Sequence, residues 1–199
     1  MKLEDFFNLR NSGIENIYYI CDYKYGIMRG SSFILLGSNI GNREKLLNDA
    51  IVMIELRCGK VILKSSLYES EPWGFNAEQN FINQAICIET DLSAHDLLKE
   101  LLDIELKLGR KRSTDTTNIS NDKVYESRPI DLDIIYYGNM INNDEVLELP
   151  HPRMHLRKFV LYPLCEIAPD YIHPVLNKTN RELRDICRDF SEVKLYEDK

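Results

Sequence analysis

The chain has 199 residues, of which 44% are hydrophobic and 29% are charged, which is typical of a globular protein with one core. Its net charge of -7 and its sequence pI of about 5.2 argue against nucleic acids and membrane surfaces as partners, because both need a basic excess. No stretch reaches the roughly 18 apolar residues of a membrane span, and the N-terminus lacks the apolar core of a signal peptide, so we expect a cytoplasmic protein.

Residues 1–28 show no single hydrophobic period, although they contain apolar and aromatic side chains. We therefore predict an N-terminal extension of unknown role at residues 1–28 and a domain at residues 29–199. Two interpretations of the extension remain open. It is either a short segment packed on the domain, or it precedes a natural start at Met28, directly before a strand.

The domain begins with a predicted strand, turn and helix. Residues 32–36 (S-F-I-L-L) are mostly apolar, residues 37–42 contain two glycines, and apolar side chains then recur at spacings of three and four up to a stop at Gly59. The turn lacks both the G-K-[ST] of a P-loop and the G-x-G-x-x-G of a dinucleotide fold. We interpret its glycines as turn formers.

Two further strands are predicted, at residues 60–69 and 81–89. Between them, residues 70–75 form a loop that contains Trp73, the single tryptophan of the chain. Asn83 stands among apolar residues of the later strand. A buried amide needs hydrogen-bond partners, which either a heterocyclic ligand or the neighbouring backbone could supply.

A second helix is predicted to begin at Ser93 and to end near Gly109. Its apolar positions recur with helical spacing, at Leu97, Leu98, Leu101, Ile104 and Leu108. The residues that follow are charged and then polar as far as position 122, and we expect a loop there.

Residues 130–137 predict a strand on which Asp131 and Asp133 point to the same face, because apolar and polar residues alternate. Carboxylates at positions i and i+2 lie about 6.5 to 7 Å apart and can converge on a divalent cation. A cation would also relieve their mutual repulsion. The alternative is a sheet edge at which both carboxylates face water.

The predicted order is β-α-β-β-α-β, which indicates an α+β, ferredoxin-like fold: an antiparallel sheet with both helices on one face. A C-terminal helical extension follows. A short helix is predicted around residues 159–167, and residues 179–182 form a capping box that begins a last helix, which we expect to bury Leu183, Ile186 and Cys187.

Carboxylates that hold Mg²⁺, surrounded by cationic side chains, are the arrangement used for phosphoryl transfer. Arginine suits phosphate oxygens because its guanidinium binds two of them at once. Each arginine taken alone is better explained as a solvated surface charge, but their clustering around one strand favours a phosphate site. The candidate residues are Asp131, Asp133, Arg110, Arg112, Arg128, His151 and Arg157.

From about Ser31 to the C-terminus, the chain resembles the 6-hydroxymethyl-7,8-dihydropterin pyrophosphokinase family of folate biosynthesis, whose members move a diphosphate from ATP to a pterin hydroxymethyl group. The resemblance depends on motifs in a fixed order, at residues 36–41, 68–74, 81–83, 104–105, 109–110, 128–133 and 150–154, with Arg157 and Phe159.

The resemblance implies two Mg²⁺ ions on Asp131 and Asp133, with ATP as co-substrate. These aspartates, with Arg110 and Arg128, would carry catalysis. The implied ATP-binding residues are Arg110, Arg112, Arg128, Ile134, His151 and Arg157. The implied pterin-binding residues are Ser70, Glu71, Trp73, Phe81, Asn83, Tyr125 and Phe159. We expect a monomer that acts on small molecules, with loops at residues 70–80 and 110–128 closing over the site.

The sequence departs from the family pattern before Arg128, where residues 124–127 replace a usual Arg-Trp-Gly-Pro run and the segment after Arg110 is longer than expected. Two other functions therefore stay open. One is a palm-type nucleotidyltransferase, which also places paired carboxylates on such a sheet. The other is a ligand-binding module that has lost catalysis.

Overall fold

The computed structural model describes residues 30–74, 77–110 and 127–197. Within these ranges the α-helices are α1 (Arg43–Arg57), α2 (Ala94–Lys107), α3 (Lys158–Ile167) and α4 (Asn180–Ile186). The strands are β1 (Ser31–Ser38), β2 (Lys60–Lys64), β3 (Tyr68–Ser70), β4 (Phe81–Glu89), β5 (Asp131–Tyr137), β6 (Asn142–Asn143), β7 (Glu148–Leu149) and β8 (Val193–Leu195).

The main sheet is antiparallel, and its strands are ordered β5-β1-β4-β3-β8, with β2 also paired to β4. The predicted β-α-β-β-α-β order of the domain is confirmed. The single strand predicted at residues 60–69 is interrupted, however. Ser65 accepts a hydrogen bond from the Ala85 N–H through its hydroxyl oxygen, and the register with β4 then shifts, so β2 and β3 are separate strands on one partner.

Two hydrophobic cores lie on opposite faces of the sheet. Helices α1 and α2 cover one face, as predicted for a ferredoxin-like fold, and they pack on alternate residues of β1, β4 and β5 such as Leu36, Ile86 and Leu132. The C-terminal helix α3 covers the other face, where it packs on Leu35 and Cys87. The C-terminal extension therefore makes a third layer and gives the sheet a second buried side.

A bulge in β5 changes which side chains share a face. Phe33 is paired with Tyr136 and Ile34 with Ile134, so Ile135 is an extra residue in β5. Ile134 packs in the core under α1 and α2, whereas Tyr136 packs in the core under α3. The strict alternation predicted through Tyr136 is thus wrong beyond Ile134, but Asp131 and Asp133 precede the bulge and keep a common face.

The helix starts agree with the predicted caps. The Ser93 hydroxyl accepts a hydrogen bond from the Asp96 N–H at the start of α2, and Thr179 and Glu182 form the capping box of α4. The predicted apolar face of α4 is only partly buried. Leu183 is buried, but Ile186 is 58% exposed, because α4 ends there after two turns.

None of the helices within the described ranges is both long and apolar enough to cross a membrane.

Candidate active site

A cavity of about 630 Å³ opens at the end of the sheet formed by the start of β5 and the end of β1. It extends around the edge strand β5, from the face covered by α3 to the face covered by α2. Most of the residues predicted for the site line it, namely Ser70, Glu71, Trp73, Phe81, Asn83, Arg110, Arg128, Asp131, Asp133, Ile134, His151, Arg157 and Phe159.

Three neighbouring strands align the centre of this cavity. Gly37 of β1 is paired with Asn83 of β4 on one side and with Asp131 of β5 on the other. Directly opposed residues point to the same face of a sheet, and neighbouring strands are about 4.8 Å apart. The amide of Asn83 and the carboxylate of Asp131 therefore flank a glycine that contributes no side chain to the floor between them.

Asp131 and Asp133 are close enough to repel each other. Burial raises the pKa of the Asp133 carboxyl well above its usual range, and the negative charges of Asp131 and Glu105 raise it further. The guanidinium groups of Arg157 and Arg128 oppose this rise in pKa. A carboxylate pair with excess negative charge fits a bound cation.

Arg110 and Arg128 converge on one carboxylate oxygen. The Nη1 atom of each donates to Oδ1 of Asp131 at 2.8 Å. Arg110 also donates to Glu105, a carboxylate of α2 that is only 1% exposed. The second bond of Glu105 comes from the N–H of Leu132 at 2.8 Å, so this carboxylate connects α2 to the outer edge of β5.

His151 is neutral at pH 7 in the folded protein. Burial and the nearby guanidinium groups of Arg157 and Arg153 lower the pKa of its ring to about 4. Its Nδ1 atom accepts a hydrogen bond from the Arg153 N–H at 3.3 Å. The ring proton is therefore on Nε2, which can donate to an anionic oxygen without carrying a charge.

The other end of the cavity is polar at its base. Asn83 and Ser70 are both buried, and Nδ2 of Asn83 donates to the hydroxyl oxygen of Ser70 at 2.8 Å. A Cβ atom on Gly37 would lie 3.2 Å from Oδ1 of Asn83 and 3.7 Å from Cδ1 of Phe81. The partner of the Asn83 amide is thus a side-chain hydroxyl, not the neighbouring backbone considered from the sequence.

Aromatic side chains line the same end. The guanidinium of Arg157 lies 4.5 Å from the centroid of the Trp73 ring and 5.5 Å from that of Phe159. Arg157 is only 5% exposed. The structure therefore places Arg157 among the aromatic residues predicted for the pterin, and its role in ATP binding stays a prediction.

Several lining residues were not predicted from the sequence. Leu98 and Leu102 of α2 reach the cavity at its far end, together with the segment 144–148, which runs from the end of β6 into β7. Leu98 was predicted only as part of the helix core, and no local pattern marks the segment 144–148. These residues come from distant parts of the chain, so only the folded structure brings them together.

Two predicted site residues, Arg112 and Tyr125, lie outside the described residues, as do most of the predicted closing loop and positions 75–76. Within the described ranges, no group of three or more His, Cys, Asp and Glu side chains is arranged to hold a metal ion. Any divalent cation on Asp131 and Asp133 would therefore need further ligands from a substrate or water.

Residues 33–169 match the model of the family described as 7,8-dihydro-6-hydroxymethylpterin-pyrophosphokinase. The chain belongs to this family. The matched residues run from within β1 to beyond the end of α3 and include all the residues that line the cavity, and the family predicted from the sequence motifs is confirmed. The chain is accordingly a pyrophosphokinase of folate synthesis, with ATP as the co-substrate that such an enzyme implies.

Curated relatives of the pyrophosphokinase family agree with this assignment. The 2-amino-4-hydroxy-6-hydroxymethyldihydropteridine pyrophosphokinase of Porphyromonas gingivalis is 40% identical over 144 residues, which cover 71% of this chain and 92% of the relative. The enzyme of the same name from Aquifex aeolicus is 34% identical over 76% of this chain and 89% of its own length. The folic acid synthesis protein of Pneumocystis carinii is 43% identical, but only 18% of it is covered.

Solved structures support the fold. HPPK is the abbreviation of the family name. A crystal structure of HPPK-DHPS in complex with substrates superposes with a TM-score of 0.60 at 15% sequence identity, covering 79% of this chain. Wild-type HPPK-DHPS of Plasmodium falciparum with pterin and p-hydroxybenzoate gives a TM-score of 0.58 at 17% identity, covering 78% of this chain. This chain spans 43% and 41% of those two structures, less than half of each.

Proposed function

We propose that this chain transfers the terminal diphosphate of ATP to the hydroxymethyl oxygen of 6-hydroxymethyl-7,8-dihydropterin and releases AMP. The observation that carries the proposal is the row formed by Asn83, Gly37 and Asp131 across three strands. A buried amide suited to a heterocycle and a carboxylate suited to a metal–phosphate group stand about 10 Å apart. The open floor above Gly37 is where the two substrates would meet.

The pterin would lie at the end of the cavity lined by Asn83, Ser70 and the aromatic residues. A flat heterocycle is bound well by stacking against Phe81 and Phe159. Its polar edge needs donors and acceptors, which the Asn83 amide and the backbone near Ser70 offer. The hydroxymethyl group would then point along the row toward Asp131.

The phosphates would bind beside β5. Arg110 and Arg128 are both directed at the carboxylate of Asp131, so each guanidinium is already near the position where charge develops during transfer. Fixed cationic donors of this kind stabilise a transition state without reorganising. His151 would add a neutral donor through Nε2, as the acceptor role of its Nδ1 requires.

Two carboxylates with excess negative charge fit Mg²⁺, which is usually held by one or two carboxylates together with substrate phosphates and water. We propose that Asp131 and Asp133 hold two such ions. The ions would neutralise phosphate charge and orient the attacking and leaving oxygens. The protein would contribute by holding the two carboxylates on one face of the sheet and by keeping Arg110 bound to Glu105.

In the reaction, an oxygen–phosphorus bond forms between the pterin hydroxymethyl oxygen and the β-phosphorus. The bond from the β-phosphorus to the oxygen that bridges it to the α-phosphorus breaks, and AMP leaves with that oxygen. The hydroxyl proton passes to solvent or to a phosphate oxygen. The arginine charges lower the barrier, and no side chain is required as a general base.

The adenine base would occupy the apolar end of the cavity, between Leu98 and Leu102 of α2 and Ile134 of β5. Because β5 is the edge strand, its outer backbone groups can bond to something other than a strand. The N–H of Leu132 already bonds to Glu105 on that side. The backbone of Ile134, two residues further along, faces the same way and could bind the edge of the base.

We further propose that the chain acts as a monomer in the cytoplasm, where ATP is available, and without nucleic acid. Its acidic net charge of -7 disfavours a nucleic-acid template. This separates the proposal from a palm-type nucleotidyltransferase, because AMP release without polymer synthesis is expected here.

The test is to measure AMP formation from ATP and Mg²⁺ on the full chain, with and without 6-hydroxymethyl-7,8-dihydropterin, and again after chelation of the metal with EDTA. We expect AMP only when both pterin and metal are present. Pterin binding without AMP would contradict catalysis and favour a binding module. AMP formation that survives EDTA would contradict the proposed metal dependence, and a chain that neither binds nor reacts would overturn the proposal.

A further inference from the structure

Asn39 contacts the chain at Arg128 from a position outside the cavity. It follows directly after β1 and is 2% exposed. Its Oδ1 atom accepts from the N–H of Arg128 at 2.8 Å, and its Nδ2 atom donates to the hydroxyl oxygen of Ser127 at 3.0 Å. Its own N–H donates to the carbonyl of Arg128 at 3.3 Å.

These three bonds continue the pairing of β1 with β5 past the end of the regular ladder. The last paired residues are Gly37 and Asp131. Pro129 then has no N–H to donate, so a normal ladder cannot extend through it. The side chain of Asn39 compensates for the missing ladder bonds, because its Oδ1 atom accepts from the N–H of Arg128, the residue before the proline.

The contact with Asn39 fixes the backbone position from which the Arg128 side chain extends. On one side of Arg128 the backbone is bound to Asn39, and on the other side Pro129 restricts φ and Ile130 is fully buried. From this base the guanidinium reaches Asp131, at 2.8 Å. An error of about 1 Å in a group that stabilises a transition state can slow a reaction about 100-fold.

We infer that Asn39 is a positioning residue for phosphate transfer: it holds the backbone of Arg128 so that the guanidinium is directed at the reacting phosphates. This inference rests on the function proposed above. A different explanation is that Asn39 is an ordinary buried amide that only stabilises the fold, and the test must separate the two.

The experiment is a double-mutant cycle with Asn39→Ala, Arg128→Ala and the two combined, measuring kcat, KM for ATP and thermal unfolding. We expect Asn39→Ala to lower kcat about 10- to 100-fold and to change KM for ATP much less. Since Asn39 acts through Arg128, the double variant should be no slower than Arg128→Ala alone. Effects on kcat that multiply would overturn the inference.

Asn39→Asp provides a rescue variant that does not depend on the stability of the alanine variant. It keeps an oxygen to accept from the Arg128 N–H, and the Ser127 hydroxyl can reverse to donate to it. We expect kcat to return to within about threefold of the wild type, since the bond to the Arg128 N–H and a bond to the Ser127 hydroxyl are both kept. An aspartate variant as slow as Asn39→Ala would count against positioning by these bonds.

Asn180 is a matched control. It is also a fully buried asparagine with two side-chain bonds, from the Tyr136 hydroxyl and to the Ala168 carbonyl, but it lies in α4 away from the cavity. Asn180→Ala should lower the unfolding temperature and leave kcat unchanged. If Asn180→Ala and Asn39→Ala reduce kcat equally, the inference fails. A wild type that forms no AMP would instead overturn the proposed function itself.

Discussion

At the scale of single residues, the site depends on the absence of a side chain at Gly37 and on the arginines that bind Asp131. Gly37 keeps the floor open between the Asn83 amide and the Asp131 carboxylate, with which it is paired. Asp131 binds two arginines through one oxygen. One of those arginines is supported by Glu105 and the other by the backbone contact of Asn39.

Replacing Gly37 by alanine tests the open floor. The new methyl group would lie 3.2 Å from Oδ1 of Asn83, so the amide must shift by a few tenths of an ångström and Phe81 has less room. We expect KM for the pterin to rise about tenfold, the loss of roughly one well-aligned hydrogen bond, while KM for ATP changes little. Steady-state kinetics with each substrate varied would measure this, and an equal rise in both KM values would contradict it.

Asp133→Asn tests the carboxylate pair. The variant keeps the size of the side chain but removes a negative charge that burial and the neighbouring charges of Asp131 and Glu105 disfavour, as the raised pKa of Asp133 shows. We therefore expect the free energy of unfolding to stay the same or increase, while AMP formation falls about 100-fold or more through lost electrostatic stabilisation. Thermal unfolding would measure the stability of the variant, and AMP assays would measure its activity. A large drop in unfolding temperature would indicate a structural role instead.

At the scale of elements, α3 and β3 supply the two walls of the cavity end proposed for the pterin. Phe159 stands at the beginning of α3, and Ser70 is the last residue of β3. The other end of α3 is joined by Glu166 to the start of β3 and the residues just before it. Glu166 accepts from the N–H and hydroxyl of Ser66 at 3.0 and 2.9 Å and from the Tyr68 hydroxyl at 2.9 Å. Burial and this bond raise the pKa of Tyr68 to about 12.

Glu166→Ala should therefore weaken the connection between α3 and β3 at the cavity end proposed for the pterin, although Glu166 does not itself line the cavity. We expect the free energy of unfolding to fall by about 1–2 kcal/mol, since three hydrogen bonds to an exposed carboxylate are lost. We also expect KM for the pterin to rise severalfold and KM for ATP to stay the same. Asp170→Ala is a suitable control, because that exposed carboxylate pairs with Arg181 at 3.2 Å and does not connect α3 to β3.

At the scale of the whole molecule, the sheet is stable because both of its faces are covered. The layer formed by α3 and α4 is joined to the sheet by an aromatic group, in which Tyr136 lies 4.6 Å from Tyr171 and 5.7 Å from His173 between ring centroids. His173 is buried, and burial, followed by the nearby His155, lowers its pKa from 6.5 to about 4. Its Nδ1 atom accepts from two backbone N–H groups.

The lowered pKa of His173 predicts acid sensitivity of the fold. The folded protein favours the neutral ring, so this contribution to stability is complete above pH 6.5 and is lost as the pH falls toward 4. His173→Asn keeps an acceptor oxygen but does not titrate. Urea unfolding at pH 7.5 and pH 5 should show a smaller loss of stability for the variant than for the wild type. Equal losses would contradict the prediction.

Much of the fold follows from local patterns. The alternation in β5 before Ile134, the helical spacing in α1 and α2, and the caps at Ser93 and Thr179 are properties of short stretches, and the structure agrees with each of them. The same holds for the shared face of Asp131 and Asp133, which follows from a period of two residues. The family motifs then supplied the residues proposed for the pterin, which composition and spacing alone did not identify.

Cross-strand register and long-range packing were decided only by the tertiary structure. The bulge at Ile135 moved Tyr136 to the other core, the break at Ser65 divided a predicted strand, and Gly37 came to lie between Asn83 and Asp131. Asn39 reached Arg128 in the same way. These contacts join residues between 20 and 103 positions apart. The sequence alone determined what each segment can form, because backbone geometry is local, whereas which segments meet depends on how the whole chain buries its apolar surface.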